Sequence, residues 1–353
     1  MAGMLKNQPV NISLASIVKV AFVVLGLWFL YLVKEIVALL FLAIIIASAI
    51  APLADLFERK RIPRMGTVIV VYLLCVAAFV LVLYLIIPPI VDELKQLAGL
   101  IPEYYETVTK QIFKTTRGIS PDAAKNAQEF LITFGEKIRS VTSGFLSVVA
   151  GAFGGVVAFG AVLVTSFYLA IQRRGVEDFL RLVTPKANEA YVVDLWTRVE
   201  HKLGRWLQGQ LLLALIVGVT VFIGLSFIGV PYALLLGVAA ALFEIVPIVG
   251  PLLSAVLGIS LAIIISPFLA LLTLVFYVIL QQVENHILVP LLMKRVTGLN
   301  PVVVIVALLA GAHLGGVLGM IIAVPLATIA GELLDDFAKH KATDKSTERA
   351  HAA

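Results

Sequence analysis

Long uninterrupted apolar runs dominate this chain, with polar residues gathered into short clusters between them. Thr67–Ile87, Val141–Ile171 and Leu211–Ile228 carry no charge and reach the roughly 18 to 20 residues that a bilayer requires. Adding similar runs, the pattern predicts six full spans, at 14–33, 36–56, 66–87, 141–171, 207–228 and 268–289. Two further stretches are apolar but interrupted, Pro231–Ile265 by "EIVPIVGP" and Pro301–Leu334 by "GAHLGG". Each reads as a broken helical hairpin that follows a full span.

The predicted fold is therefore an all-α polytopic membrane protein in which repeat 1 (207–265) and repeat 2 (266–334) each contain one span and one hairpin. The first span runs outward and the second inward, so the two units are expected to be an inverted repeat, with one hairpin entering from each side. Each arm has only about 15 residues, which favours re-entrant hairpins over full crossings. Eight to ten plain spans is the alternative. Residues 1–87 form an N-terminal bundle of three spans, 141–171 a fourth span, and 335–353 a disordered cytoplasmic tail. In 88–140 the apolar positions Ile90, Leu94, Leu97, Ile101, Tyr104, Val108 and Ile112 recur at three- and four-residue steps, so an external amphipathic helical subdomain is predicted. Residues 172–206 carry a similar stripe at Val192, Trp196, Val199, Leu203 and Trp206 and read as cytoplasmic interfacial helices.

Charge sets the orientation. "ERKRIPR" places Arg59, Lys60, Arg61 and Arg64 in one short loop, and 172–206 is a second basic segment. Lys294, Arg295 and the basic tail add weaker votes for the same side. All of these should be cytoplasmic, with both termini on that side. The amino terminus lacks the pattern of a cleaved signal peptide, so the first helix is expected to stay as an anchor.

Composition narrows the class further. The chain is 61% hydrophobic and 14% charged, which excludes a single large soluble core. A net charge of +5 needs no nucleic-acid partner, since basic cytoplasmic loops account for it. The single cysteine, Cys75, excludes an internal disulfide and a thiolate metal cluster. No zinc-protease helix, phosphate-binding glycine loop or serine-hydrolase elbow occurs, so no enzyme, cofactor or metal is expected.

Candidate chemistry lies in the last third. Pro247, Gly250 and Pro251 break the first hairpin; Gly311, Gly315, Gly316 and Pro325 are the corresponding candidates in the second. Backbone that leaves helical geometry at membrane depth must be buried in protein or line a wet cavity. Glu244, one turn before the first break, would lie about 18 Å along its arm, near the bilayer midplane. Glu284 would sit about 9 Å above the end of its span, and Gln281, Glu284 and Asn285 share a helix face. His286 and His313 complete the set of candidate pathway residues. Each has a plainer reading. Glu244 could cap exposed backbone, Glu284 could pair with Lys294 or Arg295 at the interface, and His313 could bond nearby backbone. The glycines at 311, 315 and 319 have the spacing of close helix packing. Gln208 and Gln210 read as interfacial.

"LFERKRIPR", "GRWLQGQLLLALIVG", "FEIVPIVGPLLSAV" and the block from "QQVENHILVP" to "IIAVPLATI" together resemble the AI-2E family of bacterial membrane proteins, the autoinducer-2 exporter-like or PerM-like permeases. The resemblance covers essentially the whole chain. It implies an inner-membrane permease exporting the quorum-sensing signal autoinducer-2, or, as in some relatives, a sodium or proton antiporter, and it implies a homo-oligomer. The chain departs from the family pattern where "EIVPIVGP" replaces the more usual Ile-Pro-Tyr-x-Gly, so Val246 and Ile248 stand where the family has Ile and an aromatic hydroxyl. Three functions stay open on the residues alone: a secondary transporter of a small polar solute, a cation/proton antiporter using H+ or Na+, and a non-transporting membrane scaffold.

Overall fold

The computed structural model describes residues 14–115, 156–172, 174–293 and 298–351, and all regular structure within them is helical. Helix α1 (Leu14–Leu32) leads into α2 (Lys34–Glu58), and α3 (Arg64–Thr115) follows the basic loop. Then come α4 (Val156–Ile171), the short α5 (Gly175–Val183) and α6 (Glu189–Ile228). Helices α7 (Ala233–Phe243) and α8 (Val249–Ile265) are the arms of the first hairpin. Helix α9 (Pro267–Val283) passes through a π-helical turn (Glu284–Leu288) into α10 (Val289–Met293). The last element, α11 (Pro301–His351), holds both arms of the second hairpin, because Gly315 and Gly316 leave helical geometry within it. Five helices among the described residues are long and apolar enough to cross a membrane.

Several boundaries differ from those the sequence predicts. The pattern places a reversal at Lys34–Glu35. Instead Val33 alone separates α1 from α2 (φ −98°, ψ 14°), with helical bonds from Val33 N–H to Phe29 and from Val37 N–H to Val33 on either side. One such residue bends a helix; it does not fold it back. Helix α3 continues through Pro88 and Pro89, so the span from 66 and the start of the 88–140 segment are one rod of 52 residues. The side chains of the predicted stripe from Ile90 to Ile112, and residues 116–140, lie outside the described set, as do 141–155 of the fourth span and Lys294 and Arg295. Helix α6 likewise fuses the expected interfacial segment to the fifth span, and Val199, Leu203 and Trp206 face the core instead of a membrane surface. The tail expected to be disordered is helical to His351.

Two apolar cores hold the carboxyl-terminal half. In one, Leu213, Val217, Val221 and Leu225 of α6 pack against Leu235, Leu236 and Ala240 of α7, Leu261 and Ala262 of α8, and Tyr277 and Leu280 of α9. The other joins Ile45 of α2 and Val199, Leu203 and Trp206 of α6 to Val246 at the first break and to Leu308, Ala323 and Val324 of the second hairpin. Both hairpins therefore share walls with α6. Outside the cores, Phe22, Trp28, Leu74, Tyr84 and Phe227 are exposed, an apolar surface of the extent that marks contact with lipid.

Polar contacts define the two ends of the bundle. At one end Arg64 pairs with Asp55 at 2.5 Å and donates to the Ala170 carbonyl at 2.9 Å, while Glu200 lies within electrostatic reach of Asp55 and Arg64. The two basic segments thus meet. At the far end of α2, Lys34 donates to the Leu314 carbonyl at 3.1 Å, which puts the tip of the second hairpin level with that end.

Candidate functional site

Helix α7 is a run of Ala, Leu, Gly and Val that stops at Phe243. Glu244 and Val246 still donate backward to Ala240 and Phe243, but Pro247 has no N–H and the ladder cannot continue. The chain turns at Ile248, whose φ of +69° and ψ of −49° let Val249 N–H reach the Pro247 carbonyl at 2.8 Å, a three-residue γ-turn. A β-branched residue at positive φ is a strained placement of the kind that persists where surrounding structure imposes it. Gly250 then lets the second arm close on the first, since a Cβ there would lie 2.1 Å from the Phe243 carbonyl oxygen. Pro251 sits in the first turn of α8, where its missing N–H costs no bond.

Glu244 is 1% exposed at this break. Its Oε2 is buried without a hydrogen-bond partner, and no Lys or Arg occurs between 231 and 265. Its backbone carbonyl, by contrast, accepts from the Gln210 side chain of α6. The charge it feels is another carboxylate, Glu284. Glu284 is 5% exposed and opens the π-turn. There Val289 N–H bonds the Glu284 carbonyl five residues back instead of the usual fourth, widening the helix at the carboxylate just before Pro290, which has no N–H to donate. Gln281 reaches both the Glu284 carboxylate and Asn285 Oδ1, the latter at 3.3 Å.

The structure thus brings together Glu244, Glu284 and Gln281, with Asn285 bonded to Gln281 at the exposed edge. His286 points away, its Nδ1 3.0 Å from the Gln282 carbonyl, and His313 is exposed near the second hairpin's tip. Neither joins the carboxylates. Of the predicted breaks, Gly315 and Gly316 form the turn of the second hairpin. Gly311 does not break its arm: it touches Gly319 across the hairpin, where a Cβ on Gly311 would lie 2.4 Å from the Gly319 oxygen. Pro325 is buried within continuous helix and is not a break either. Gln210, which the sequence suggests is interfacial, is wholly buried. The signal was present: it follows Trp206 by four residues and precedes Leu213 and Val217 on one helical face.

A broken hairpin and a kinked span, each with a buried carboxylate, agree with the motifs "EIVPIVGP" and "QQVENHILVP". Residues 17–339 match the profile of the AI-2E family transporter. The chain belongs to the AI-2E transporter family. It is 28% identical over 318 residues to YrrI of Bacillus subtilis, covering 86% of this chain and 87% of that protein. It is 26% identical over 335 residues to YhhT of Escherichia coli K12, covering 91% and 90%. With sll0060 of Synechocystis it shares 27% identity over 258 residues, covering 72% and 74%. These relatives are transport proteins by name only, with no solute attached. This AI-2E family member is accordingly a multi-pass membrane protein of a transporter family.

Proposed function

We propose that this protein is a secondary transporter that exports a small polar solute such as autoinducer-2 across a bacterial inner membrane. The basic loops and carboxyl terminus face the cytoplasm. One observation carries the reading: the Glu244 carboxylate is enclosed at a helix break, with an unpartnered oxygen and a second carboxylate as its neighbour. A charged group at membrane depth is costly and marks a solute or ion pathway by default. Gln281 and Asn285 add neutral donors and acceptors at the edge of the same site, which a polar solute leaving water requires. The hairpins serve as gates within an inverted repeat. The first, with an α7 arm of 11 residues or about 16 Å, stops short of crossing a hydrocarbon core about 30 Å thick.

The paired carboxylates also favour a second reading, cation/proton antiport, because two such groups can exchange a proton for a cation. Vesicles of the purified protein separate the two. Export predicts flux of autoinducer-2; antiport predicts sodium-driven collapse of a pH gradient without it; neither activity would leave the scaffold reading.

A further inference from the structure

Residue 244 offers two acceptors at the break, and they are treated differently. Its backbone carbonyl stands at the end of α7, where the helical ladder stops and the last carbonyls need outside donors. The residue is 1% exposed, so a donor from protein is the one at hand. Gln210 supplies it through Nε2. The carboxylate of the same residue keeps an oxygen without a partner. Two residues before Gln210, the amide of Gln208 reaches in the opposite direction, adding a bond to the Ala49 carbonyl within α2 at 2.6 Å. One stretch of α6 therefore ties α2 on one side and the hairpin break on the other.

We propose that Gln210 is the positioning residue for Glu244. By saturating the backbone carbonyl it holds the break in register and leaves the carboxylate as the acceptor facing Glu284 and any solute. With an apolar side chain at 210, the carbonyl is orphaned in a dry core. It then competes for whatever donor is nearest, including a protonated carboxyl of the pair, and the turn at Pro247–Val249 shifts with it. The inference rests on the reading of Glu244 as a transport carboxylate, yet its test reads the chemistry of that carboxyl and not flux.

The probe is dicyclohexylcarbodiimide, an apolar reagent that attacks protonated carboxyls inside membranes. Full-length protein in vesicles is labelled across a pH series, and modification of Glu244 is quantified by peptide mass spectrometry. Gln210→Leu is expected to move the midpoint of that profile by about one pH unit or to change the labelling rate about tenfold. Gln208→Leu, which removes the neighbouring amide's bond to the Ala49 carbonyl of α2 instead, is expected to leave it in place. A wild-type profile in Gln210→Leu overturns the inference, as does an equal change in Gln208→Leu or a wild-type Glu244 that never reacts. Should Gln210→Leu not fold, Gln210→Asn, which holds the amide one methylene short, is read against the same outcomes. Loss of the transport reading is a separate result, seen as flux indifferent to Glu244→Gln whatever the labelling profile.

Discussion

Ile248 shows how one residue's geometry can stay hidden in a legible motif. "EIVPIVGP" announces a break, and its only glycine is the natural candidate for positive φ. The protein spends Gly250 on contact with the Phe243 carbonyl, so the positive φ falls on Ile248. Competition between close approach and turn geometry has no signature in a single sequence. Ile248→Gly should therefore relieve strain and stabilise the fold by about 1 kcal/mol, read as a raised thermal midpoint in detergent. A lowered midpoint would show that Ile248 contributes more by packing than it costs by geometry. Glu244 was legible because a carboxylate in an arm without cations stands out, and counting along the two helices puts Glu284 in the same half of the protein; that the two feel each other directly depends on how the helices pack, which no local pattern records.

Among elements, the least foreseeable contact is the ion network between α6 and α11. Tyr191, Asp194, Arg198 and Lys202 line one face of α6. Arg198 bridges to Glu332 at 2.5 Å and to Asp336 at 2.6 and 3.1 Å, Lys202 also bonds Glu332, and Tyr191 hydrogen-bonds Asp336. The apolar run ends at Leu334, and a polar tail over 335–353 reads as disordered, so the pattern leaves Asp336 without a structural role. Helix α11 runs on because these buried carboxylates have partners. Arg198→Met leaves them short of positive charge and is expected to cost about 2 kcal/mol, discounted for the partial exposure of the arginine. An unchanged thermal midpoint would mark the network as dispensable. At the other side of the bundle, Glu93 of α3 accepts from the Leu235 N–H at 2.9 Å, capping the first turn of α7 beyond the span that ends at Pro89. Burial pushes its carboxyl above the usual range, although that hydrogen bond pulls it down. An acid that holds its proton more tightly when folded loses stability as pH rises from its unfolded to its folded pKa. Glu93→Gln keeps the acceptor and should flatten that dependence; an identical pH profile would exclude Glu93 as its source.

At the scale of the whole molecule, order of elements was readable and depth was not. Apolar length and interruption gave the succession of span and hairpin, yet arm length alone favoured two equivalent re-entrant hairpins. The Lys34–Leu314 contact places the second tip at the end of α2 remote from the basic loop. In a Cys75→Ser background, His313→Cys should react with an impermeant maleimide from the side that labels Lys34→Cys and opposite to Arg61→Cys. Reaction from the Arg61 side would contradict this arrangement. Transport itself is a property of the assembled molecule, and the carboxylate at its centre is the place to test it. Glu244→Gln keeps the side chain's shape and an acceptor while removing the exchangeable proton, so insertion and folding should survive. In vesicles of purified protein, gradient-driven flux of autoinducer-2, or of sodium against protons, is expected to fall at least about tenfold, while passive exchange at equal pH persists. Full gradient-driven flux in a folded Glu244→Gln protein would contradict the account.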